Sequence, residues 1–457
     1  MRLIRKHWLV SGLFSACALM AQVEAAPSQN HAMTLAQVLD IALEKNPDLR
    51  ASSERIAEAE ARVMEATAQF YPRLSGRVGY DYTSNPSLAF SYILSQRRLS
   101  AQTLSNVNSL NQPGYVGNFR PELLASYNLF QGGQDYFRKK AAELGVEAAS
   151  LEHTALQNRL IAAITTAFHA LSAAPEQHSV AQKALDTVTT ELKHAEAGRE
   201  AGSQLKSDVL TLKVRESEAR ERELQTRNAI MLSRSSLKVL VGMNAEEALE
   251  VQESREQKEE HAPPEHTLPS LIAQALVQRP EMQAASRQYE AREKELMAEK
   301  GAHLPRVNAY TAYGLNSSSP DFNFNQQNVT MGINAEVDIF SGGATQARIR
   351  AAERRLSEAD AIREKTRLEI ENEVQQAWTS FREAEQRLEV SRDASEAAEE
   401  ALRIVQLQYR NNTVNVTRYL EAEADWAAAQ TRTIVARFDT HIGRASLDKA
   451  LGLSRGM

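Results

Sequence analysis

The chain is written twice, and this duplication restricts the possible folds more than any single motif does. Ala42-Leu43-Glu44-Lys45-Asn46-Pro47-Asp48 returns as Ala275-Leu276-Val277-Gln278-Arg279-Pro280-Glu281, 233 residues later. The same offset carries Tyr71-Pro72-Arg73-Leu74 onto Leu304-Pro305-Arg306-Val307, and Tyr80 onto Tyr313. Leu129-Phe130-Gln131-Gly132-Gly133 matches Ile339-Phe340-Ser341-Gly342-Gly343 at an offset of 210, which then also relates Ala167-Phe168 to Ala377-Trp378. The difference between 233 and 210 is one loop shortened by 23 residues. Each copy reads helix, strand, loop, strand, long helix, turn, helix, a layout suited to a pseudo-symmetric ring or tube rather than a catalytic cleft.

Arg2, Arg5 and Lys6 precede an apolar run from Trp8 to Met20, and small residues surround Val23-Glu24-Ala25. This is the pattern of a secretory signal cut after Ala25. Residues 1–25 are therefore read as a signal peptide, 26–243 as the first repeat, 244–270 as an exposed linker around the equator of the tube, and 271–457 as the second repeat with a C-terminal tail. The linker carries a Glu/Gln/Lys run and Pro263-Pro264. Cys17 is the sole cysteine and lies either inside the signal or, on a second reading, at a lipoprotein cleavage box. Loss of the signal, with its three basic residues and Glu24, takes the formal charge from −6 to −8 and argues against nucleic acid as a partner.

Two hydrophobic periods alternate along the chain. From Gly133 to about Gly198 the apolar residues Ile161, Ile164, Phe168 and Leu171 step by three and four, and Val374, Trp378, Phe381 and Leu388 form the matching seam. Sixty-odd helical residues at ~1.5 Å each extend about 100 Å. Pro175 should bend or split the first of these helices. Elsewhere the period falls to two. Val329, Met331, Ile333, Ala335, Val337 and Ile339 alternate with Asn328, Thr330, Gly332, Asn334, Glu336 and Asp338, as a lipid-facing barrel strand with a watery lumen requires and as a half-buried strand on a soluble sheet also does. Strands are expected near 73–84, 118–130, 305–316 and 327–340, with tyrosines near their ends. The Ser/Asn/Gln-rich stretch from Ser84 to Gly117 is expected as an external loop. Four strands are too few for a barrel, since about eight is the minimum, so several chains must contribute.

With these motifs paired across almost the whole mature sequence, the chain resembles the TolC family of outer-membrane efflux and secretion ducts. The resemblance rests on the Asn-Pro and Arg-Pro openings, on Tyr-Pro-Arg-Leu and Leu-Pro-Arg-Val, and on Phe-x-Gly-Gly. It implies a mixed α and β membrane protein: a homotrimer sharing a twelve-stranded outer-membrane barrel, in contact with outer-membrane lipid and continued by a long periplasmic helical barrel. It also implies a periplasmic adaptor (membrane fusion protein) and an inner-membrane pump as partners. The implied function is a passive duct for efflux or type I secretion in a Gram-negative bacterium, with the cargo open among drugs, metal ions, siderophores and polypeptides. The alternative from a different class is a periplasmic coiled-coil adaptor that forms no pore.

A gate is expected at the turns between the long helices and those that follow them. Gly202 and Asn412 suit left-handed helix ends. The family resemblance implies closing contacts from an acidic residue after the first turn and a tyrosine before the second, here Asp208 and Tyr409. Where the family often has an entrance acid this chain has Arg418, with Glu421 three residues on, and Val414 replaces a common arginine. Asp208 and Arg418 are equivalent at the offset of 210 and are expected to meet across subunits. The chain has no phosphate loop, no His-Glu-x-x-His and no mature cysteine pair, so no enzyme activity, cofactor or metal is expected. His261 and His266 lack further ligands, and His153, His169, His178 and His194 are expected as surface or seam residues.

Overall fold

The computed structural model describes residues 32–202, 204–252, 267–322, 324–411 and 413–453. The expected signal, Cys17, Pro263-Pro264, His261, His266 and Asn412 lie outside them. The described chain runs α1 (Leu35–Lys45), α2 (Pro47–Ala68), β1 (Arg73–Thr83), α3 (Pro86–Ser95), α4 (Ala101–Ser105), α5 (Val107–Asn111), β2 (Val116–Gln131), α6 (Gln134–Glu200) and α7 (Lys206–Val241). It continues with α8 (Leu268–Gln278), α9 (Pro280–Lys300), β3 (Arg306–Leu315), β4 (Gln327–Glu336), α10 (Ala344–Arg410) and α11 (Val416–Leu451). The long helices α6 and α10 each have 67 residues, and the returning helices α7 and α11 each have 36. At ~1.5 Å per residue α6 and α10 extend about 100 Å.

The helices form a layer in which α6 and α10 run the full length and shorter helices fill in beside them. Towards the sheet the order of packing is α2, α6, α9, α10; beyond the middle it is α7, α6, α11, α10. Two apolar clusters lie at the level where α1 and α8 dock. In one, Ala42, Leu160, Ile164, Leu171, Leu237 and Val241 pack together; in the other, the residues at the two offsets, Ala275, Ile370, Val374, Phe381, Leu447 and Leu451, do the same. At ~25 cal/mol per Å2 of apolar area removed from water, each leucine, isoleucine, valine and phenylalanine among these contributes ~1.5–3 kcal/mol.

Asn46 and Arg279 are equivalent positions solved by different chemistry. Asn46 caps α2, its Oδ1 accepting from Asp48 and Leu49 N–H at 2.8 and 3.2 Å while its Nδ2 donates to the Leu240 carbonyl at 2.8 Å. Arg279 makes no such cap. Its buried guanidinium binds Glu281 at 2.9 Å and also Glu373, which Lys449 holds from α11 at 2.7 Å. Burial opposes both charges, but the Glu281 and Glu373 carboxylates hold the Arg279 pKa up, and Lys449 and Arg279 pull Glu373 down.

The sheet is antiparallel in the order β1-β2-β3-β4, with β1 and β4 as open edges. Its register decides which side chains share a face. Leu74 pairs with Ala125, Gly76 with Leu123, Val78 with Pro121 and Tyr80 with Phe119. Leu123 then meets Tyr313, Tyr313 meets Val329, Thr311 meets Met331 and Ala309 meets Ile333. Directly paired residues lie on the same side of a sheet, so the apolar stripes of all four strands form one face. The opposite face carries Ser75, Arg77, Asp81, Arg120, Glu122, Asn308, Thr330 and Asn334. A shift between Asn128 and Phe130 absorbs one residue without exchanging the faces.

The structure sharpens three expectations. Of bending or splitting at Pro175, splitting is excluded: α6 is continuous from Gln134 to Glu200. One missing N–H and its clash cost ~3 kcal/mol, which the burial of Phe168, Leu171, Ala173 and Ala174 around the proline outweighs. The stretch from Ser84 to Gly117 is not irregular throughout, because Asn85, Ser100 and Asn106 cap the short helices α3, α4 and α5. The last strand stops at Glu336 rather than at 340, since pairing with β3 ends at Arg306. The Phe-x-Gly-Gly motif has a direct cause. Gly132, Gly133, Gly342 and Gly343 all have φ between 61° and 83°, and a Cβ at Gly132 would strike the Gly301 carbonyl.

Candidate functional site

At the end of the helical layer farthest from the sheet, α6 turns into α7 and α10 into α11. Gly202 takes the first turn at φ 76°, a left-handed conformation, and its N–H donates to the Arg199 carbonyl at 3.0 Å. No atom would crowd a Cβ there, so the backbone angle alone selects glycine. In the second turn the Thr413 N–H and Oγ1 both donate to the Gln408 carbonyl, at 2.9 and 2.8 Å. Asn415 caps α11 by accepting from Arg418 N–H at 2.9 Å.

The residues expected at the gate are brought together only in part. Asp208 is half-buried in the first turn of α7, where the helix dipole favours an acid. Tyr409 is half-buried at the end of α10. Burial raises the Tyr409 pKa first, and the charges of Glu191 and Asp208 raise it further, which places the tyrosine within electrostatic reach of both acids. Arg418 and Glu421 are exposed and pair with each other at 3.4 Å along one face of α11. Within the chain Arg418 therefore faces Glu421 and not Asp208.

Two residues at this end escaped the sequence reading. Tyr419 is 1 % exposed and stacks flat on Tyr409, with ring centroids 5.0 Å apart and an interplanar angle of 2°. Burial, with Glu191 and Glu423 nearby, pushes its pKa up to about 12. Tyr419 thus fastens the end of α10 to α11, while Val188, Leu192, Val209, Leu212, Val416 and Leu420 join α6, α7 and α11 in a separate apolar cluster. The second residue is Glu423, 7 % exposed, whose Oε1 has no hydrogen-bond partner among the described residues. Its sequence signal is its place in the series Val416, Leu420, Glu423, Ala427, where steps of four, three and four put an acid on an apolar stripe.

The histidines of α6 serve packing and local pairing. His169 is buried between Phe168 and Phe438 and stacks on His441 at 4.8 Å, and burial first, then His441, lowers its pKa to about 4. His153 bonds Ser52 Oγ at 2.6 Å, and His178 bonds Thr226 Oγ1 at 3.1 Å. No helix among the described residues is long and apolar enough to cross a membrane.

Comparison with known proteins places this architecture. The family model described as outer membrane efflux protein matches residues 38–243 and 271–453. Protein CyaE of Bordetella pertussis is 24 % identical over 410 residues, covering 88 % of this chain and 80 % of that protein. The pyoverdine export outer membrane protein OpmQ of Pseudomonas aeruginosa is 22 % identical, covering 92 % and 85 %. Among solved structures, the CmeC outer membrane channel of Campylobacter jejuni superposes with a TM-score of 0.80 at 15 % identity, covering 98 % of this chain and 94 % of that one. The open-state MtrE outer membrane channel of Neisseria gonorrhoeae gives 0.73 at 20 % identity, with 92 % and 89 % covered.

Proposed function

This chain belongs to the outer membrane efflux protein family, of the TolC type, and on that premise we propose that three copies assemble into a passive duct joining the periplasm to the cell exterior. The observation that carries the proposal is the sheet: one face is apolar and exposed, the other polar, and both edges are open. Val78, Met331 and Ile333 are 67 %, 74 % and 68 % exposed, a surface that is costly in water and stable in lipid. An open edge carries unpaired N–H and C=O groups, which hydrocarbon does not satisfy. Pairing β4 of one copy with β1 of the next removes every edge, and three copies of four strands make a twelve-stranded barrel with the polar face inside. The helical layer closes in the same way, α10 of one copy meeting α2 and α7 of the next, so the lumen continues for ~100 Å beyond the membrane.

The parts of the chain follow from this assembly. Residues 1–25 direct export, 26–243 and 271–457 are the two repeats, and 244–270 links them. The far end, with Gly202, Asp208, Tyr409, Asn412, Arg418 and Glu421, is the periplasmic gate. Substrate enters there from an inner-membrane pump through a periplasmic adaptor, and the pump supplies the energy. The relatives span cargo as different as pyoverdine in OpmQ and toluene in the toluene efflux pump protein TtgI, so cargo choice lies outside the shared fold. The test is assembly and conductance. Protein extracted from outer membranes with detergent should run as a heat-modifiable trimer and form channels in planar bilayers, and a water-soluble monomer with full helix content would refute the duct.

A further inference from the structure

Between α6, α7 and α11, short of the far end, lies a groove of about 510 Å3. Alanines make up much of its lining, Ala181 and Ala184 on α6, Ala219 on α7, Ala424 and Ala427 on α11, beside the polar Gln177, Arg215, Glu218, Arg222 and Gln225. Alanine on three facing helices leaves space that leucine would fill, and the volume is within the range of small-molecule sites, about 300–1,000 Å3. Glu423 is set into this alanine wall. It is the sole lining residue that is both charged and buried, at 7 % exposure, and its Oε1 is hydrogen-bonded to nothing among the described residues. An unpaired carboxyl in such a place costs free energy that a partner would recover. All of its walls come from α6, α7 and α11 of one chain.

We propose that this groove binds a small organic cation, an aliphatic ammonium ion whose charged head meets the Glu423 carboxylate and whose hydrocarbon lies along the alanines. The inference goes beyond the duct reading and does not depend on it. An ammonium head donates hydrogen bonds and carries the charge opposite to the carboxylate, and the alanines offer apolar surface to the rest of the ligand. The charged groups around the site do not occupy Glu423. Arg215 is tied to Glu218 at 2.8 Å, both on α7 with Arg222, and Glu191 on α6 and Tyr419 on α11 offer no positive charge. Burial alone pushes the Glu423 pKa up to about 7, with no arginine drawing it back. Binding a cation therefore releases a proton at neutral pH, and affinity must fall about tenfold per pH unit below that value.

The experiment is calorimetric titration of the purified full-length protein in lipid nanodiscs with cyclohexylammonium, using cyclohexanol as the uncharged probe and empty nanodiscs as the blank. One ammonium per chain should bind at pH 8, and at least fivefold more weakly at pH 6. Glu423→Gln should lose tenfold or more for the ammonium and keep the wild-type affinity for cyclohexanol. Ala184→Leu, which fills the groove and leaves the carboxylate in place, should lose both. Equal ammonium affinity in wild type and Glu423→Gln, or no ammonium binding to wild type at pH 8, overturns the proposal. The helical circular dichroism of each variant is recorded alongside, so a fold defect is not read as lost binding.

Discussion

Arginine at Ile333 should damage assembly far more than arginine at the next residue, Asn334. β4 has ten residues, and at ~3.4 Å each with a tilt of ~40° it rises about 26 Å, close to the ~25 Å apolar band of a bacterial barrel. Ile333 is the seventh of the ten, about 4 Å from the middle of that band, on the face shared with Ala309, Tyr127 and Leu123. A guanidinium near mid-bilayer on a lipid face costs ~2–4 kcal/mol, and ~3 kcal/mol is a factor of roughly 150 in the folding equilibrium of each chain. Asn334 pairs with Asn308 on the polar face, where arginine meets water. Both variants would be unfolded in urea, refolded into vesicles and followed by heat-modifiable migration and tryptophan fluorescence. Ile333→Arg should fold only at much lower denaturant, and Asn334→Arg close to wild type. Equal losses at the two sites would mean that this strand does not stand in a membrane wall.

Three further outcomes are expected. Arg279→Ala removes a buried guanidinium shared by Glu281 and Glu373, leaving Glu373 to Lys449, and should cost ~1.5–3 kcal/mol in chemical denaturation, whereas Asn46→Ala, losing a cap, should cost ~1–2 kcal/mol. His169 has a folded pKa of about 4 against 6.5 unfolded, so the unfolded chain binds the extra proton between these values; stability should fall by ~3 kcal/mol as pH drops from 6.5 to 4, and His169→Gln should flatten that slope in thermal melts. Asp208→Arg and Arg418→Asp should each raise single-channel conductance and the double reversal should restore closure if the two meet across subunits; wild-type conductance in both single variants would place the gate elsewhere.

The two periods were legible because they are local: helical steps of three and four over α6 and α10, and alternation over β4, follow from which side of an element faces apolar neighbours. The short helices α3, α4 and α5 were missed although their caps were in view, since Asn85, Ser100 and Asn106 occur in a stretch whose Ser/Asn content also suits a loop. The far end was half legible. Turn chemistry marks Gly202 and Thr413, but the Tyr409–Tyr419 stack and the isolation of Glu423 depend on how three helices approach one another. Arg279 illustrates the same gap, because its partner Glu373 is 94 residues away and nothing near Arg279 in sequence announces it.

The equal lengths of α6 and α10, and of α7 and α11, impose a rule on how such a chain can change. Both long helices start just after a strand, at Gln134 and Ala344, so their 67 residues set the two far turns at one level. A deletion of two turns from one helix alone would stagger the rim by ~10 Å. At the opposite end no such matching holds: residues 84–115 between β1 and β2 contain three helices, whereas residues 316–326 between β3 and β4 are far fewer. Changes of length between the strands leave the level of the far turns untouched, whereas a change in a long helix keeps the two turns level only if it is matched in the other half.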